Sequence, residues 1–319
     1  MRLIVDSGST KTDWIAIDDN GSILFETFTL GLNPQVLTEY IIEERIINNY
    51  DLYQNRKKIK KIHFYGAGCG TKPPKELLKK VLTPIFVNSE FDIKEDTYAA
   101  VYACCKPGEK AIVSILGTGS NCSYYDGKEI HQKVTSLGYV LMDDASGNYF
   151  GRQLLRDYYF NRLSKELETK FKEEFNLEAE VIKDYLYKKP NPNTYLAKFA
   201  KFLVQNKDLK YSKKLIKKGF NLFISNQIRQ FDNCKDVELH FVGSIGFYLK
   251  DELEKRIKKK NMKLGKVLRR PIEGLVAYYQ GLWFYFFAIT DISILAFFGN
   301  PETSTVSLAG ADSLSNHFP

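Results

Sequence analysis

The feature of this sequence that most restricts its fold is a pattern of three short strands and two tight turns that occurs twice. The first copy, residues 3–29, reads LIVDSGSTKTDWIAIDDNGSILFETFT, and the second, residues 111–135, reads AIVSILGTGSNCSYYDGKEIHQKVT. In each copy an apolar strand enters a turn of small residues, and an Asn-Gly or Asp-Gly hairpin precedes the third strand. Chance rarely repeats a whole pattern of this kind, so the recurrence predicts a duplicated architecture.

Both small-residue turns suit a phosphate group. In the first turn, at 7–12, small side chains let backbone N–H groups approach an anion, and the hydroxyl groups and Lys11 add donors. Asp6 ends the first strand, where its carboxylate is placed to hold a metal ion beside that phosphate. Ordinary hairpins can carry the same residues, so one copy alone leaves both interpretations open. Two facing copies could hold a nucleotide's phosphates from both sides.

Three further places combine polar or small residues with a change of local structure. A loop at 31–34 carries Asn33, whose amide is available to whatever the loop lines. Asp96 stands where a loop becomes an Ala-rich helix, a position in which a carboxylate is also a common helix cap. A strand at 237–242 leads into Gly-Ser-Ile-Gly at 243–246. A ribose or flat ring can lie against such small residues, although a plain strand–helix connection is the simpler interpretation.

Elsewhere the sequence predicts further regular elements of less direct functional interest. We expect a strand at 85–87, a long helix at about 151–164 and mostly helical structure from there to about 232. A helix at 247–260 and a last short helix at 271–279 complete the prediction.

Length and charge limit the class of protein. A chain of 319 residues has room for roughly two domains of about 150 residues. The net charge is +8, and much of the excess lies in lysine-rich stretches such as 207–218 and 255–263. Since the sequence contains no recognisable nucleic-acid module, a solvated basic face is favoured over a nucleic-acid partner. A basic surface can also attract anionic nucleotides.

The cysteines and the first residues predict a cytoplasmic location. Five cysteines, an odd number, lack Cys-x-x-Cys spacing, which argues against a disulfide framework or a zinc site and favours a reducing compartment. No signal-peptide pattern is expected, because Asp6 interrupts the first apolar run.

The last segment, 281–319, differs from the rest of the chain. Its first part, GLWFYFFAITDISILAFF, is apolar over about one membrane-spanning length, with Asp291 near its centre. A membrane anchor is one interpretation. A terminal extension outside the core is favoured, because the preceding chain reads as a complete enzyme, and the final residues, 300–319, are predicted to be disordered.

The order of motifs resembles one known family. It runs VDSGSTKT, Asn33, Asp96, LGTGSN, GYVLMDDASG, FVGSIG and PIEGLVAYY over about residues 1–280. This order is similar to that of BadF/BadG/BcrA/BcrD-type ATPases, and within them to the N-acetylglucosamine kinase-like branch of the sugar kinase–Hsp70–actin superfamily. The resemblance implies an α/β, two-domain actin-like ATPase fold of the ribonuclease H-like type, with duplicated mixed sheets flanked by helices.

The resemblance also implies domain boundaries and site residues. The domains are 1–110 and 111–280, with a last helix able to pack back on the first domain, and 281–319 outside the core. The residues that correspond to the two phosphate motifs and the adenosine motif are Asp6, Gly8, Ser9, Thr10 and Lys11, then Gly117, Thr118, Gly119 and Ser120, then Gly243 and Ser244. The residues that correspond to the sugar site are Asn33, Asp96, Gly138 and Asp143.

One motif departs from the family. The usual Gly-Asp-Glu-Gly-Ser becomes Met-Asp-Asp-Ala-Ser at 142–146, so two glycines are lost and the second acid is shortened. The larger Met142 could narrow the pocket, and the sequence does not separate N-acetylglucosamine from N-acetylmuramic acid, glucosamine or a related sugar.

The implied function is an ATP-dependent kinase that phosphorylates a primary hydroxyl of an N-acetylated amino sugar. Phosphoryl transfer needs alignment and charge neutralisation more than covalent help. The turns and Lys11 would hold the phosphates, Asp6 would hold Mg²⁺, and Asp96 would accept the proton of the sugar hydroxyl. The expected partners are ATP, Mg²⁺ and a small amino sugar, and a homodimer is compatible with the sequence.

Two other functions stay open on the sequence alone. An ATPase of the same family that activates a radical dehydratase or reductase carries an iron–sulfur cluster and a cysteine motif that is absent here. A non-catalytic nucleotide-sensing or filament-forming protein would keep the phosphate turns but lack a placed general base. Asp96 favours the kinase over that second alternative.

Overall fold

The computed structural model describes residues 1–280, in which two five-stranded sheets carry helices. The strands are β1 (Arg2–Ser7), β2 (Lys11–Ile17), β3 (Ile23–Leu30), β4 (Lys61–Gly66), β5 (Glu90–Glu95), β6 (Ala111–Leu116), β7 (Ser120–Tyr125), β8 (Ile130–His131), β9 (Glu238–Val242) and β10 (Lys263–Leu268). The predicted apolar tail at 281–319 lies outside the described residues. No helix within residues 1–280 is long and apolar enough to cross a membrane.

The helices lie in the segments between these strands, except for the last one, which follows β10. They are α1 (Glu39–Ile47), α2 (Tyr50–Asn55), α3 (Lys72–Ile85), α4 (Asp96–Cys104), α5 (Gly147–Tyr159), α6 (Lys165–Glu174), α7 (Ala179–Tyr187), α8 (Pro192–Lys198), α9 (Ala200–Gln205), α10 (Lys210–Asn226), α11 (Ser244–Tyr248), α12 (Lys250–Lys258) and α13 (Pro271–Tyr279), with a short 3-10 helix at Ile228–Gln230. The helices α5 to α10 form the helical region that the sequence predicts between the two halves of the second sheet.

The two sheets have the same order of strands. The first runs β3-β2-β1-β4-β5 and the second, read from its other end, runs β8-β7-β6-β9-β10. In each, the first three strands pair antiparallel, and the strand that opens the unit pairs in parallel with a later strand. The predicted duplication and the predicted fold class are therefore confirmed.

Alternation along β1 and β2 explains why the first sheet lies inside the protein. Trp14 and Ala16 point to one face, where they join a core with α1 and α3. Ile15 and Ile17 point to the other face, where they pack with Ile272 and other residues of α13. Because successive strand residues face opposite sides, both faces of this sheet are covered.

The last described helix returns to the first sheet. Leu275 and Val276 of α13 join Ile4 of β1 in one buried cluster. Gly274 lets α13 approach α4 closely, since a Cβ atom there would come 2.7 Å from the Cα atom of Ala103. The chain therefore crosses from the second sheet to the first in the short segment between β10 and α13.

Several predicted elements differ in the structure. The strand predicted at 85–87 is wrong, because α3 continues to Ile85 and the next strand, β5, begins at Glu90. The reason is that Ile85 completes the buried stripe of a helix with Val81 and Leu82, while Val87, the last residue of the predicted strand, is exposed.

The end of the second domain also differs from the prediction. The helix predicted at 247–260 is divided into α11 and α12, with a break at Leu249. Strand β10 was not predicted, because its Lys-rich sequence, KLGKVL, resembles the end of the preceding helix. It becomes a strand through parallel backbone hydrogen bonding with β9, which a local sequence pattern could not reveal. Two smaller differences are that α5 begins at Gly147 rather than 151 and that β8 has only two residues.

Candidate active site

The two small-residue turns contact each other through one threonine of each. In the first turn the Gly8 N–H donates to the Lys11 carbonyl at 3.0 Å, and in the second the Gly117 N–H donates to the Gly119 carbonyl at 3.0 Å. The hydroxyl oxygens of Thr10 and Thr118 lie 3.3 Å apart. Turns that are more than one hundred residues apart in the sequence thus meet in the folded protein.

The first turn of α5 supports the second of these turns. The Gly147 N–H donates to the Gly117 carbonyl at 2.8 Å, and the Asn148 N–H donates to the Thr118 carbonyl at 3.0 Å. The Asn148 side-chain amide donates to the same Thr118 oxygen at 2.7 Å. Ser146 begins the helix by accepting a hydrogen bond from the Tyr149 N–H at 3.2 Å. The backbone of the second turn is therefore fixed by the helix that follows it.

The adenosine motif adjoins the second turn. Gly243 has φ +117°, and a Cβ atom there would collide with the Leu116 carbonyl at the end of β6. The Gly243 N–H donates to the Leu268 carbonyl at 2.9 Å, and Ser244 begins α11. Only glycine lets β9 end this close to β6, and because a Cβ atom at Gly243 would also come 3.0 Å from the Gly117 nitrogen, Gly243 lies beside the second turn.

The loop that carries Asn33 is fastened to the first turn. The Gly31 N–H donates to the Thr10 carbonyl at 3.0 Å. The Leu32 N–H donates to the buried Ser7 hydroxyl at 3.1 Å. The loop therefore keeps its position relative to the end of β1.

Asn33 lies against the glycine-rich turn that follows β4. Its Oδ1 accepts from the Gln35 N–H at 2.9 Å, and a Cβ atom at Gly68 would collide with the Asn33 amide. On the other side of the same turn, a Cβ atom at Gly70 would come 3.0 Å from a carboxylate oxygen of Glu95. The same turn thus contacts both Asn33 and Glu95, the residue at the junction of β5 and α4.

Asp96 is the first residue of α4 and follows β5 directly, without the loop predicted from the sequence. Burial, and after it the charge of Glu95, raises the pKa of the Asp96 carboxyl to about 7, although the backbone N–H groups of Thr97 and Asp96 donate to it. Glu95 occupies the N-cap position and its side chain makes no capping hydrogen bond. Asp96 therefore meets backbone donors at the helix start and still titrates near neutrality.

Asp6 lies in the same region as two other acids. Burial is the main cause that raises the pKa of the Asp6 carboxyl to about 8, and the charges of Asp96 and Asp13 raise it further. Lys11 and Arg270 act in the opposite direction. The parallel register of β1, β4 and β5 brings the ends of these strands to one edge of the sheet, which explains why Asp6 and Asp96 interact.

This acidic region fits a hard divalent cation. Its donors are carboxylate oxygens, and a bound cation would relieve the repulsion that raises the pKa of Asp6. Within residues 1–280 no group of three or more His, Cys, Asp or Glu residues is arranged to hold a metal ion. That is compatible with Mg²⁺, which proteins hold through one or two carboxylates together with substrate phosphates.

Lys11 and Arg270 both pair with Asp13. The Lys11 ammonium lies 2.5 Å from an Asp13 carboxylate oxygen and 4.8 Å from the centre of the Phe28 ring. Arg270 reaches the same Asp13 oxygen at 3.4 Å and Glu273 at 3.0 Å. Sequence reasoning missed both Asp13 and Arg270. The alternation of β2, which puts Lys11 and Asp13 on one face, could have indicated Asp13, whereas no local signal places Arg270 here.

Asp143 lies against the second turn, away from the acids of the first sheet. Its backbone is left-handed, with φ 67°, and its Oδ2 accepts from the Asn148 amide at 2.8 Å. A Cβ atom at Gly119 would come 2.8 Å from the same oxygen, so the carboxylate rests on the second turn. Burial raises the pKa of Asp143, opposed by hydrogen bonds from Asn148 and the Ser120 N–H.

Gly138 begins a short exposed segment before Asp143. It has φ +80°, and a Cβ atom there would meet no other atom within 4 Å. Met142 does not project away from this segment: its sulfur accepts from the Leu137 N–H at 3.3 Å, and its own N–H donates to the Gly138 carbonyl at 2.9 Å. The predicted sugar residues thus form two groups, with Asn33 and Asp96 at the first sheet and Gly138 and Asp143 at the second.

Comparison with known proteins identifies structural relatives. No family model matches the sequence, and no curated protein matches it. Among solved structures, the “Putative N-acetylglucosamine Kinase” from Porphyromonas gingivalis is 34% identical, with a TM-score of 0.81 over 88% of this chain and 99% of that one.

Two more distant structures share the fold. A protein with the same description from Chromobacterium violaceum is 15% identical, with a TM-score of 0.67 over 87% of this chain and 98% of that one. A ROK family glucokinase from Streptomyces griseus, solved with glucose and AMPPNP, is 14% identical, with a TM-score of 0.54 over 88% and 98% of the two chains. They support the two-domain actin-like ATPase fold, and the 34% identity with the relative from P. gingivalis over 88% of this chain shows that the chain belongs to the same family of sugar kinases.

Proposed function

We propose that the protein is an ATP-dependent kinase that phosphorylates a primary hydroxyl of an N-acetylated amino sugar resembling N-acetylglucosamine. The observation that carries this proposal is the meeting of two phosphate-type turns, at Thr10 and Thr118, beside a carboxyl group, Asp96, that titrates near neutral pH. The relative from P. gingivalis, named a “Putative N-acetylglucosamine Kinase”, supports the choice of sugar. The order of motifs supports placing the chain in the N-acetylglucosamine kinase-like branch of the BadF/BadG/BcrA/BcrD-type ATPases.

The nucleotide is proposed to lie in the cleft between the turns. Backbone N–H groups and hydroxyl groups of residues 8–11 and 117–120 would bind the β- and γ-phosphates, and the surface at Gly243 and Ser244 would receive the adenosine. Asp6 would hold Mg²⁺, which neutralises charge on the phosphates during transfer. Lys11 is part of the first turn, and a bound phosphate would compete with Asp13 for the Lys11 ammonium group.

The sugar is proposed to lie between the two groups of polar residues. Asn33 would bind a sugar hydroxyl or the acetamido group from the first domain, and Asp143 and the backbone at Gly138 would face it from the second. Asp96 would accept the proton of the attacking hydroxyl at a carboxylate oxygen. A base with a pKa of about 7 is matched to this task at neutral pH, because much of it is ionised and it still holds a proton well.

The positions of the cysteines do not favour the activator of a radical enzyme. Cys69 lies in the core of the first domain, Cys104 and Cys105 lie in a second cluster, and Cys122 and Cys234 lie in a third. All five are buried, and burial raises the pKa of Cys104 and of Cys122 to about 12. Iron–sulfur ligands must be thiolates that converge on one cluster.

The proposal is tested by a coupled assay of ADP release across a panel of sugars. With Mg²⁺ and ATP, we expect turnover with N-acetylglucosamine or a close N-acetylated relative and much less with glucosamine or glucose. Phosphorus NMR of the product should show phosphate on the primary hydroxyl. Turnover with glucose that equals or exceeds turnover with every N-acetylated sugar would contradict the substrate class, and ADP release that no sugar stimulates would contradict the kinase itself.

A further inference from the structure

A surface cavity of about 350 Å³, open to solvent and lined in part by exposed charged side chains, lies in the second domain, away from the two phosphate turns. Its walls come from α5, from α10 and from Arg162, just beyond the end of α5. This volume falls within the range of about 300–1,000 Å³ that is usual for small-molecule sites.

The cavity is strongly cationic. Arg156, Arg162, Lys214 and Lys218 line it together with a single carboxylate, Asp157. That carboxylate is already paired: the Tyr211 hydroxyl donates to one of its oxygens at 2.8 Å, and Arg162 lies 3.5 Å from the other.

Three of the four cations have no such pairing. Across residues 1–280, Arg156, Lys214 and Lys218 form no ion pair with a carboxylate. Three positive charges therefore surround one small cavity without an anion of the protein to balance them, which is the electrostatic setting that binds a phosphate group.

The same two helices reach the candidate active site at their other ends. The first turn of α5 supplies Asn148 to Asp143 and to the second phosphate turn. The last residue of α10, Asn226, donates to the Asp144 carboxylate at 2.8 Å. The helices pack tightly in between, since a Cβ atom at Gly219 would come 2.7 Å from the Phe150 ring. A ligand that moves either helix at the cavity would act on the segment 143–148.

We propose that this cavity is a second binding site, for a phosphate-bearing ligand of sugar-phosphate size, and that its occupancy changes the affinity for the sugar. The phosphate would meet Arg156, Lys214 and Lys218, while the Gln153 amide and the Asp157 carboxylate are available to hydroxyl groups. The product of the proposed reaction belongs to this chemical class, and that link to regulation rests on the proposed function. The binding site itself does not depend on it.

A second cavity, of about 420 Å³, shows why the regulatory site is proposed between α5 and α10 rather than elsewhere. It is lined by Arg229, Lys235 and Lys260 with one acid, Asp232, so its charge is similar. Its walls come from the segments that precede β9 and β10. Gly243 follows the other end of β9, so the cavity and the candidate site lie at opposite ends of that strand. It therefore lacks the two-helix connection to 143–148 and serves as a comparison site.

The test measures binding by titration calorimetry, with N-acetylglucosamine 6-phosphate and inorganic phosphate as probes. Saturating N-acetylglucosamine is present to occupy the proposed active site. The variant Lys214→Ala/Lys218→Ala should bind the sugar phosphate at least about tenfold more weakly than the parent, because it loses two charge-assisted contacts. The matched control is Lys213→Ala/Lys217→Ala, which removes two exposed lysines of the same helix that do not line the cavity.

The calorimetry distinguishes the proposed cavity site from the comparison site and from nonspecific binding. Loss of binding in the cavity variant alone supports the site. Equal binding by all three proteins, equal loss in both variants, or no binding by the parent overturns it, and loss only on Lys235→Ala/Lys260→Ala assigns the ligand to the comparison site instead. Equal affinity for inorganic phosphate contradicts the sugar-phosphate class. Lys214→Gln/Lys218→Gln, which keeps polar side chains, repeats the measurement if the alanine variant is unstable.

A kinetic measurement tests the link to the active site. In the parent, added sugar phosphate should change the KM for the sugar by a factor that the cavity variant does not show. Binding without such a change would exclude the regulatory role. If no sugar is a substrate, the proposed function fails while the calorimetry still decides the site.

Discussion

In the first copy of the duplicated unit β1 ends near a carboxylate, Asp6, whereas in the second copy β6 ends in two apolar residues, Ile115 and Leu116. Charged side chains gather at the first turn, where Lys11 pairs with Asp13 and the charge of Asp96 acts on Asp6. At the second turn the start of α5 supplies backbone hydrogen bonds and the Asn148 side-chain amide, and Asp143 is the one charged side chain described there. One strand order thus supports two kinds of small-residue turn, and we expect the first to supply chemistry and the second to supply a rigid wall for the proposed nucleotide.

The largest effect should come from removing the metal or its ligand at the first turn. EDTA should abolish turnover, and Asp6→Asn should lower it by roughly 10²- to 10³-fold, the range seen when one preorganised electrostatic contact to a transition state is lost. Asp13→Asn is the matched control on the neighbouring strand, and it should lose less activity because Asp13 pairs with Lys11 and Arg270. Both variants are compared at several Mg²⁺ concentrations. An Asp6→Asn enzyme as active as the Asp13 variant would remove Asp6 from the metal site.

The pH dependence of turnover should show an acid limb near pH 7. A base must be ionised to accept a proton, so activity should fall about tenfold per pH unit below the pKa of about 7 at Asp96. Saturating Mg²⁺ and ATP keep Asp6 ionised during the measurement. In Glu95→Gln the negative charge that helps raise the pKa of Asp96 is gone, so the limb should move to lower pH and activity at pH 6 should rise relative to pH 8.

Glu90→Gln is the control for that experiment. Glu90 begins the same strand, pairs with Lys61 at 3.7 Å and is exposed, so its removal should leave the limb in place. A limb that moves equally in both variants would mean that the group with the pKa near 7 is not Asp96.

Smaller effects are expected from loosening the second turn. Asn148→Ala removes the side-chain amide that donates to the buried Asp143 carboxylate and to the Thr118 carbonyl, although the backbone N–H groups of Ser120 and of residue 148 still donate to these two acceptors. The loss should lower the free energy of unfolding by about 1–3 kcal/mol. Nucleotide affinity should fall with it, while the rate at saturating nucleotide changes little. Asn226→Ala removes the amide that donates to Asp144 in an exposed contact, so it should reduce both the free energy of unfolding and the nucleotide affinity by less. Thermal unfolding and nucleotide titration of the two variants give the comparison, and a large loss of catalytic rate in Asn148→Ala would contradict the assignment of chemistry to the first copy alone.

The sequence was informative where the signal is local. Hairpin residues at 20–21 and 126–127 and the small-residue turns predicted the duplicated fold, which the structure confirms, whereas phosphate binding at the two turns stays a prediction. The pairing of Arg270 with Asp13 joins residues 257 positions apart, so no local pattern could place it. The same limit explains β10, whose strand character depends on pairing with β9 rather than on its own Lys-rich sequence. The roles of Asn33, Gly138 and Asp143 in holding a sugar stay predictions.

The most direct test of the proposed kinase is Asp96→Asn, measured for nucleotide binding, thermal stability and sugar-dependent ADP release in one preparation. The amide keeps the size of the side chain and much of its hydrogen bonding with the helix start, but it cannot accept the proton. We predict a fall in sugar phosphorylation of roughly 10²- to 10⁴-fold, with nucleotide affinity nearly unchanged and a stability change of at most about 1 kcal/mol. A variant that unfolds at lower temperature yet phosphorylates sugar at nearly the parent rate would contradict the account, because Asp96 would then be only a helix cap.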